Sequence, residues 1–428
     1  MRVVISHAYS TDNKGDAALL DVLISDIRRQ YGKSCTIDIL TIDKIVPGAT
    51  FANVQMHEAF MYYALNHPKS RPGKLIYTFT MMLYTCLWAL VYRLTGRSLP
   101  LPSHWNEVVS LYTRADLVIG VGGGYFRTNG SFVSFINLLL MLHPLQFTEI
   151  LKKPTSLYVM SVGPFYSKLE RYVTARLFKR MQLILIREDT SLQLLHDMGV
   201  QKNVQRSIDS GFLFTSKRKA HLRKSLAIPI KAMVVGVTAR QWLDADAQET
   251  YETNMAAALD SIVGTHQAHV VFIPQVTSVH NNDDDRTVSR SIASRMKNTQ
   301  GIHVMDGEYD HYDVKAMYDE LDFIIGTRFH SVIFSLTSYV PAIAIEYEHK
   351  TSGIMKDLDL SQWALKIEDV RSEAIVALFA ELVSKQKVYE THLQRILPGY
   401  IKDARQAIAI VDKAYRLSGH SGSKSNVK

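Results

Sequence analysis

Residues 324–335 read IIGTRFHSVIFS. Two isoleucines run into Gly326 and Thr327, Arg328 and His330 follow two residues apart, and an apolar stretch resumes. Arginine is rarely buried unless it is paired. A permanent cation and a titratable ring inside an apolar run therefore need a structural reason. The end of a buried strand opening into a buried helix supplies one, because only the side chains at the junction then face a cleft.

The same pattern extends outward in both directions. Downstream of residue 232, MVVGVTAR (233–240), HVVFIPQV (269–276), FIIGTRFH (323–330) and PAIAIEY (341–347) are short apolar runs with polar tips. Helical stretches such as AQETYETNMAAALDSIVGTH (247–266) separate them. Upstream, RVVISHA (2–8), TIDILTI (36–42), ADLVIGVGGG (115–124), TSLYVMSVGP (155–164), QLILIRED (182–189) and VQRSIDSGF (204–212) repeat it. Between the first two, residues 15–32 place Leu19, Leu20, Leu23, Ile24 and Ile27 on one helical face. Continuous apolar strands alternating with helices imply parallel sheets covered on both faces. A basic polar stretch, TSKRKAHLRKSLAIPIKA (215–232), separates the two series. The expected fold class is therefore α/β, with two Rossmann-like doubly wound domains. An N-terminal domain covers 1–215 and a C-terminal domain covers 230–385. C-terminal helices follow over 386–417, and a small, polar tail over 418–428 is expected to be disordered.

The 428-residue length agrees with two domains. With 47% hydrophobic and 21% charged residues the chain is globular. The formal net charge of +8 favours acidic partners such as phosphorylated small molecules or anionic lipid surfaces. The basic residues are scattered and match no nucleic-acid motif, so nucleic acid is not expected as a partner. Cys35 and Cys86 belong to no CxxC or Cys/His cluster, which argues against a disulfide framework or structural zinc. The polar start MRVVISHAYS is not a secretory signal, and a cytoplasmic location is expected.

One segment complicates this. Leu75 to Tyr92 is eighteen residues without a charge, flanked by Arg71 and Lys74 and by Arg93 and Arg97. It meets the minimum length of a membrane-spanning helix. Its tyrosines, tryptophan and threonines suit an interface better, and a span would split what reads as one domain. A helix lying on the inner face of a membrane, or a buried helix, remain the alternatives.

Doubly wound folds bind ligands at the carboxyl ends of their strands, and nearly every polar motif here lies there. If the domains face each other, these ends line one cleft. In NKGD, Asn13, Gly15 and Asp16 lead from a strand into a helix; Gly15 permits close backbone approach. Asp16 is either a cap or a ligand contact. Gly123 and Gly124, in GVGGGYF, present backbone N–H groups to a ligand or form a tight turn; the spacing is neither a dinucleotide nor a Walker fingerprint. SVGPF (161–165), REDTS (187–191) and DSGF (209–212) read as structural. Arg240 and Gln275 end the first two strands of the second domain, and arginine binds planar anions bidentately. Asp283 to Arg286, in NNDDDR, read as a solvated acidic loop rather than a metal site. Arg328 and His330 close the set with an anion-binding cation and a group that moves protons near neutral pH. Glu346, Glu348, His349 and Lys350 end another strand.

In their order and spacing, NKGDAAL, GVGGGYF, SVGPF, REDTS, DSGF, GVTAR, FIPQ, GTRFHSVIFSL and PAIAIEYEHKTSGIMKDL resemble the polysaccharide pyruvyl transferase family. The resemblance covers most of the chain; the apolar 75–94 insert is not a hallmark of it. It implies a GT-B-like architecture, with two Rossmann-like domains facing across a cleft. It also implies transfer of pyruvate from phosphoenolpyruvate to two hydroxyls of a sugar, as a cyclic ketal. The acceptor would be an exopolysaccharide or its lipid-linked precursor. On this reading Arg240 and Arg328 bind the donor, and His330 is the general acid/base. Asn13 and Asp16, from the facing domain, hold the acceptor; Gly123, Gly124 and Gln275 assist. No metal or organic cofactor is called for. The alternatives are a nucleotide-sugar glycosyltransferase of the same fold, with Glu346 on a ribose, and a non-catalytic membrane-associated assembly protein.

Overall fold

The computed structural model describes residues 1–42, 54–65, 71–278 and 283–419. The chain forms two compact units, and its division is not colinear. The first contains Met1–Ser10, Leu19–Ser210 and the chain from Asp403. The second contains Thr11–Ala18 and Gly211–Lys402. The last helix, Ala407–Leu417, thus belongs to the first unit, and the NKGD turn belongs to the second. The expected tail lies outside the described residues from position 420 onward.

The first unit is built on seven strands: β1 (Arg2–Ala8), β2 (Thr36–Thr41), β3 (Gln55–Glu58), β4 (Leu117–Gly120), β5 (Thr155–Met160), β6 (Leu183–Ile186) and β7 (Val204–Arg206). Their order is β3-β2-β1-β4-β5-β6-β7, all parallel. Successive strand residues serve opposite faces. Val3, Ile5, Ile37, Ile39, Leu117 and Ile119 meet the Leu19–Ile27 stripe and Ala407, Ile408 and Val411. Val4, Leu40 and Val118 meet Trp105, Val108, Tyr112 and Phe147 on the other face. Both faces are covered, which is why the strands read as continuous apolar runs.

The second unit repeats this arrangement with β8 (Val234–Thr238), β9 (His269–Phe272), β12 (Ile302–Val304), β13 (Phe323–Gly326), β14 (Ala342–Glu346) and β15 (Ala364–Lys366). The order is β12-β9-β8-β13-β14-β15, again parallel. A small antiparallel pair, β10 (Thr277–Ser278) and β11 (Asp283–Asp284), sits between β9 and β12 in sequence. In both sheets the order reverses beside the first strand, which creates a switch point between β1 and β4 and another between β8 and β13.

The apolar segment forms one helix, Arg71–Thr95. Thr85, Trp88 and Ala89 are buried; the Trp88 indole donates to the carbonyl of Leu99 (3.0 Å), and Thr85 Oγ1 lies 2.9 Å from His143 Nε2. This helix and Phe132–Ile150 are long and apolar enough to cross a membrane, yet they pack side by side in the layer covering β1–β6. Arg187, Glu188 and Asp209 are fully buried, with Arg187 2.7 Å from Asp209 and from Ser161 Oγ.

Two buried histidines give the first unit a pH dependence. His7 stacks on Tyr125 and lies 2.8 Å from the Met141 carbonyl; His143 sits edge-on to Phe60. Burial lowers both from 6.5 to about 4. The unfolded chain therefore binds more protons between these values, so stability is full above pH ~6.5 and falls as pH drops toward 4. Each ring should cost about 2 kcal/mol at pH 5 relative to neutrality. Urea denaturation at the two pH values, repeated with His7→Gln and His143→Gln, checks this; an unchanged midpoint refutes it.

Candidate active site

β8 ends at Thr238 and β13 at Gly326, and the two residues pair across the second switch point. The Thr238 hydroxyl accepts from the backbone N–H groups of Thr327 (3.0 Å) and Arg328 (3.2 Å) and shares a hydrogen bond with Ser331 (2.8 Å). These bonds pin the turn after β13 to the end of β8. Helix Phe329–Thr337 then starts with Arg328 at its N-cap position. Arg328 makes no side-chain cap bond, because a cap needs an acceptor and a guanidinium only donates; its partner lies elsewhere.

That partner is the acidic run. Asp285 is 1% exposed. Its carboxylate accepts from the backbone N–H of Gln275 (2.9 Å) and Val276 (3.0 Å), and from Arg328 Nε (2.9 Å) and Nη2 (2.5 Å). Asp283 accepts from Arg328 Nη2 (2.5 Å), and its other oxygen lies 3.8 Å from Arg240 Nη2. Burial works against the charge of Arg328, and the two aspartates more than offset it. Burial also opposes the charge of Asp283, but Arg328 and Arg240 hold its carboxyl below the usual range. The expectation of a solvated loop is thus corrected for Asp283 and Asp285; Asn281 and Asn282 lie outside the described residues. Asp284 pairs with Arg286 (2.9 Å).

Arg240 lies over two rings, with its guanidinium carbon 4.6 Å from the centre of Trp242 and 4.5 Å from that of Tyr347. Among the described residues its buried Nε has no hydrogen-bond partner. Lys350 lies over Tyr347 (5.3 Å) and Phe329 (5.5 Å) and pairs with Glu348 (2.7 Å). Burial alone would push the Tyr347 phenol up. Lys350, Arg240 and Arg328 outweigh it and bring it down to about 7. The sequence marks the residues around Tyr347 but not Tyr347 itself, because nothing local shows three cations converging on one tyrosine. Glu346 accepts from Ser352 Oγ (2.7 Å).

The NKGD turn joins this cluster. Lys14 N–H donates to the Gln275 carbonyl (2.9 Å), and Thr277 N–H donates to the Asp12 carbonyl (3.1 Å). Lys14 is buried, its ammonium lies 3.2 Å from Thr277 Oγ1, and burial lowers its pKa. Asn13 Oδ1 accepts from the N–H of Gly15 (3.1 Å) and Asp16 (3.3 Å), while its amide donates to Asp16 (2.8 Å). Asn13, rather than Asp16, therefore performs the capping. Gly15 meets His330 directly: a Cβ there would lie 2.0 Å from the His330 Nδ1. Gln275 donates to the Tyr318 hydroxyl (2.8 Å), and its buried Oε1 has no partner among the described residues.

Arg240, Gln275, Arg328, His330, Glu346, Asn13 and Asp16 thus all belong to the second unit. The assignment of Asn13 and Asp16 to the other domain is corrected. Gly123 and Gly124 belong to the first unit, where the glycine run passes tightly over β5: a Cβ at Gly122 would come within 2.7 Å of the Val159 carbonyl oxygen. Among the described residues no group of three His, Cys, Asp or Glu side chains is arranged to hold a metal ion. Three cations, a histidine and a tyrosine titrating near neutrality, at the ends of β8, β13 and β14, can bind a compact polyanion and move protons beside it.

Two doubly wound units with these strand orders define a protein of the GT-B architecture. A glycosyltransferase from Rickettsia africae matches 97% of this chain and 98% of its own length, with a TM-score of 0.61 at 11% identity. An α,α-trehalose 6-phosphate synthase from Burkholderia multivorans matches 98% and 99%, with a TM-score of 0.55 at 10% identity. Within that architecture the chain belongs to the polysaccharide pyruvyl transferase family, whose sequence profile matches residues 13–349. It is 22% identical over 419 residues to the amylovoran biosynthesis protein AmsJ of Erwinia amylovora, covering 92% of this chain and 95% of the relative.

Proposed function

We propose that the chain transfers pyruvate from phosphoenolpyruvate to two hydroxyls of one sugar, on an exopolysaccharide or its lipid-linked precursor, at the cytoplasmic side of a membrane. The observation that carries this reading is the convergence of Arg240, Arg328, Lys350 and His330 around the second switch point. Phosphoenolpyruvate carries a phosphate and a carboxylate, which the cations suit. C3 gains a proton and one hydroxyl adds to C2, releasing its own proton. The second hydroxyl then displaces phosphate, which leaves with the remaining proton, so a ketal and inorganic phosphate result. His330 is the proposed group that delivers and recovers the proton, a role typically worth about 10²–10⁴-fold in rate. The scheme uses no metal or organic cofactor.

Calorimetry with phosphoenolpyruvate on wild type and Arg240→Ala tests the reading, with product NMR for the ketal. Binding lost in the variant supports it. Tight UDP binding with none for phosphoenolpyruvate would replace it with nucleotide-sugar transfer.

Tyr347 adds a pH signature. Above pH ~7 its phenolate competes with the donor for the same cations, so donor binding should weaken as pH rises. Tyr347→Phe should bind phosphoenolpyruvate like wild type at pH 6 and about tenfold tighter than wild type at pH 8.5. Parallel pH profiles for the two proteins would exclude this competition.

A further inference from the structure

The first unit carries an apolar surface that the proposed chemistry does not use. Along helix Arg71–Thr95, Ile76, Thr80, Leu83, Leu87, Leu90 and Leu94 follow one another at steps of three and four residues and share one face. All six are exposed, Leu83 and Leu94 to 72% each. The stripe is about 27 Å long. The other side of the helix buries Thr78, Thr85, Trp88 and Ala89 against the protein. Lipid could therefore reach this helix from one side only, which suits a helix lying on a bilayer rather than crossing it.

Charge identifies what would cover the stripe. From Ala59 to Asn106 the sequence has no Asp or Glu and five basic residues, Lys69, Arg71, Lys74, Arg93 and Arg97. Helix Phe132–Ile150 packs against this helix and also against helix Lys168–Phe178, on the same side of the sheet. That third helix and the turn after it set Lys168, Arg171, Arg176, Lys179 and Arg180 around a groove of about 510 Å³, against one lining carboxylate, Asp197, and with Arg180 paired to Glu149 (2.7 Å). Tyr166 and Tyr172 are exposed beside it, and Phe132 is 69% exposed. Leucines, exposed aromatics and an excess of cations over carboxylates are the composition of a surface that meets anionic headgroups. A second copy of the chain would fit the leucines but would bring the same cations together across a two-fold axis.

We propose that this side of the first unit docks on an anionic phospholipid bilayer. The leucine stripe enters the headgroup–acyl boundary, and the groove's cations meet lipid phosphates. This builds on the membrane-side placement above by naming the lipid and the residues, and it does not depend on the donor.

The test is co-sedimentation of the full chain with phosphatidylcholine vesicles, with and without phosphatidylglycerol. Binding should be about tenfold stronger with phosphatidylglycerol and should weaken as salt is raised. Leu83→Asp with Leu87→Asp should lower it by about tenfold or more; both positions are exposed, and circular dichroism checks the fold. Arg176→Glu with Lys179→Glu should remove the preference for phosphatidylglycerol. Absent binding, or binding that the leucine variant leaves unchanged, overturns the proposal, as does a solution dimer that the leucine variant splits. Ketal formation on a soluble glycan acceptor is measured in parallel. Vesicle binding without turnover overturns the transferase reading and upholds the docking; turnover without vesicle binding does the reverse.

Discussion

Arg328→Ala should abolish phosphoenolpyruvate binding and also destabilise the second unit by about 3–5 kcal/mol. The two effects have different causes. Arg328 is only 6% exposed, and its Nε and Nη2 satisfy Asp285, itself buried. Removing the guanidinium leaves that carboxylate in the interior with two backbone donors and without the cation that pairs with it. A loss of activity in this variant alone would therefore say little about chemistry. Arg328→Ala combined with Asp285→Ala removes both charges. The double variant should regain most of the stability, because neither ion is left uncompensated. It should still fail to bind the donor, because a cation at the β8/β13 switch point is gone. Urea denaturation and calorimetry on the two variants separate the effects. Donor binding of wild-type strength in the double variant would remove Arg328 from the binding role.

The same pair shows where reading the sequence stops. The strands, the doubly wound class and the polar strand tips were legible because hydropathy along the chain reports burial on both faces of a parallel sheet. Arg240, Arg328 and His330 stood out because they interrupt or end apolar runs. Asp285 did not, since an acidic run looks the same in sequence whether it faces water or an arginine 43 residues away. Tyr347 escaped for a related reason: its phenol is tuned by Arg240, Arg328 and Lys350, two of them far off in sequence. The placement of Thr11–Ala18 in the second unit was also hidden. It rests on backbone hydrogen bonds from Lys14 to Gln275 and from Thr277 to Asp12, which leave no mark on side-chain pattern.

Gly15 carries the second large effect, and His330 is what approaches it closely. Its backbone is not in the left-handed region, so no turn geometry demands glycine there. What demands it is space. A Cβ at Gly15 would lie 2.0, 2.4 and 2.8 Å from Nδ1, Cγ and Cβ of His330. Swinging the ring away relieves Nδ1 and Cγ, but the His330 Cβ is held at the start of helix Phe329–Thr337, so its 2.8 Å contact also requires the backbone to shift. Gly15→Ala should therefore act as a displacement of His330, lowering turnover by about 10²–10⁴-fold, the range of a lost general acid/base. Overpacking should add a stability cost of about 1–3 kcal/mol. A double-mutant cycle isolates the mechanism. On a His330→Gly background the ring and its Cβ are both absent, the added methyl has room, and Gly15→Ala should change turnover by less than about threefold. If the two losses instead multiply, Gly15 acts independently of the histidine, and the NKGD turn has a role of its own in the reaction.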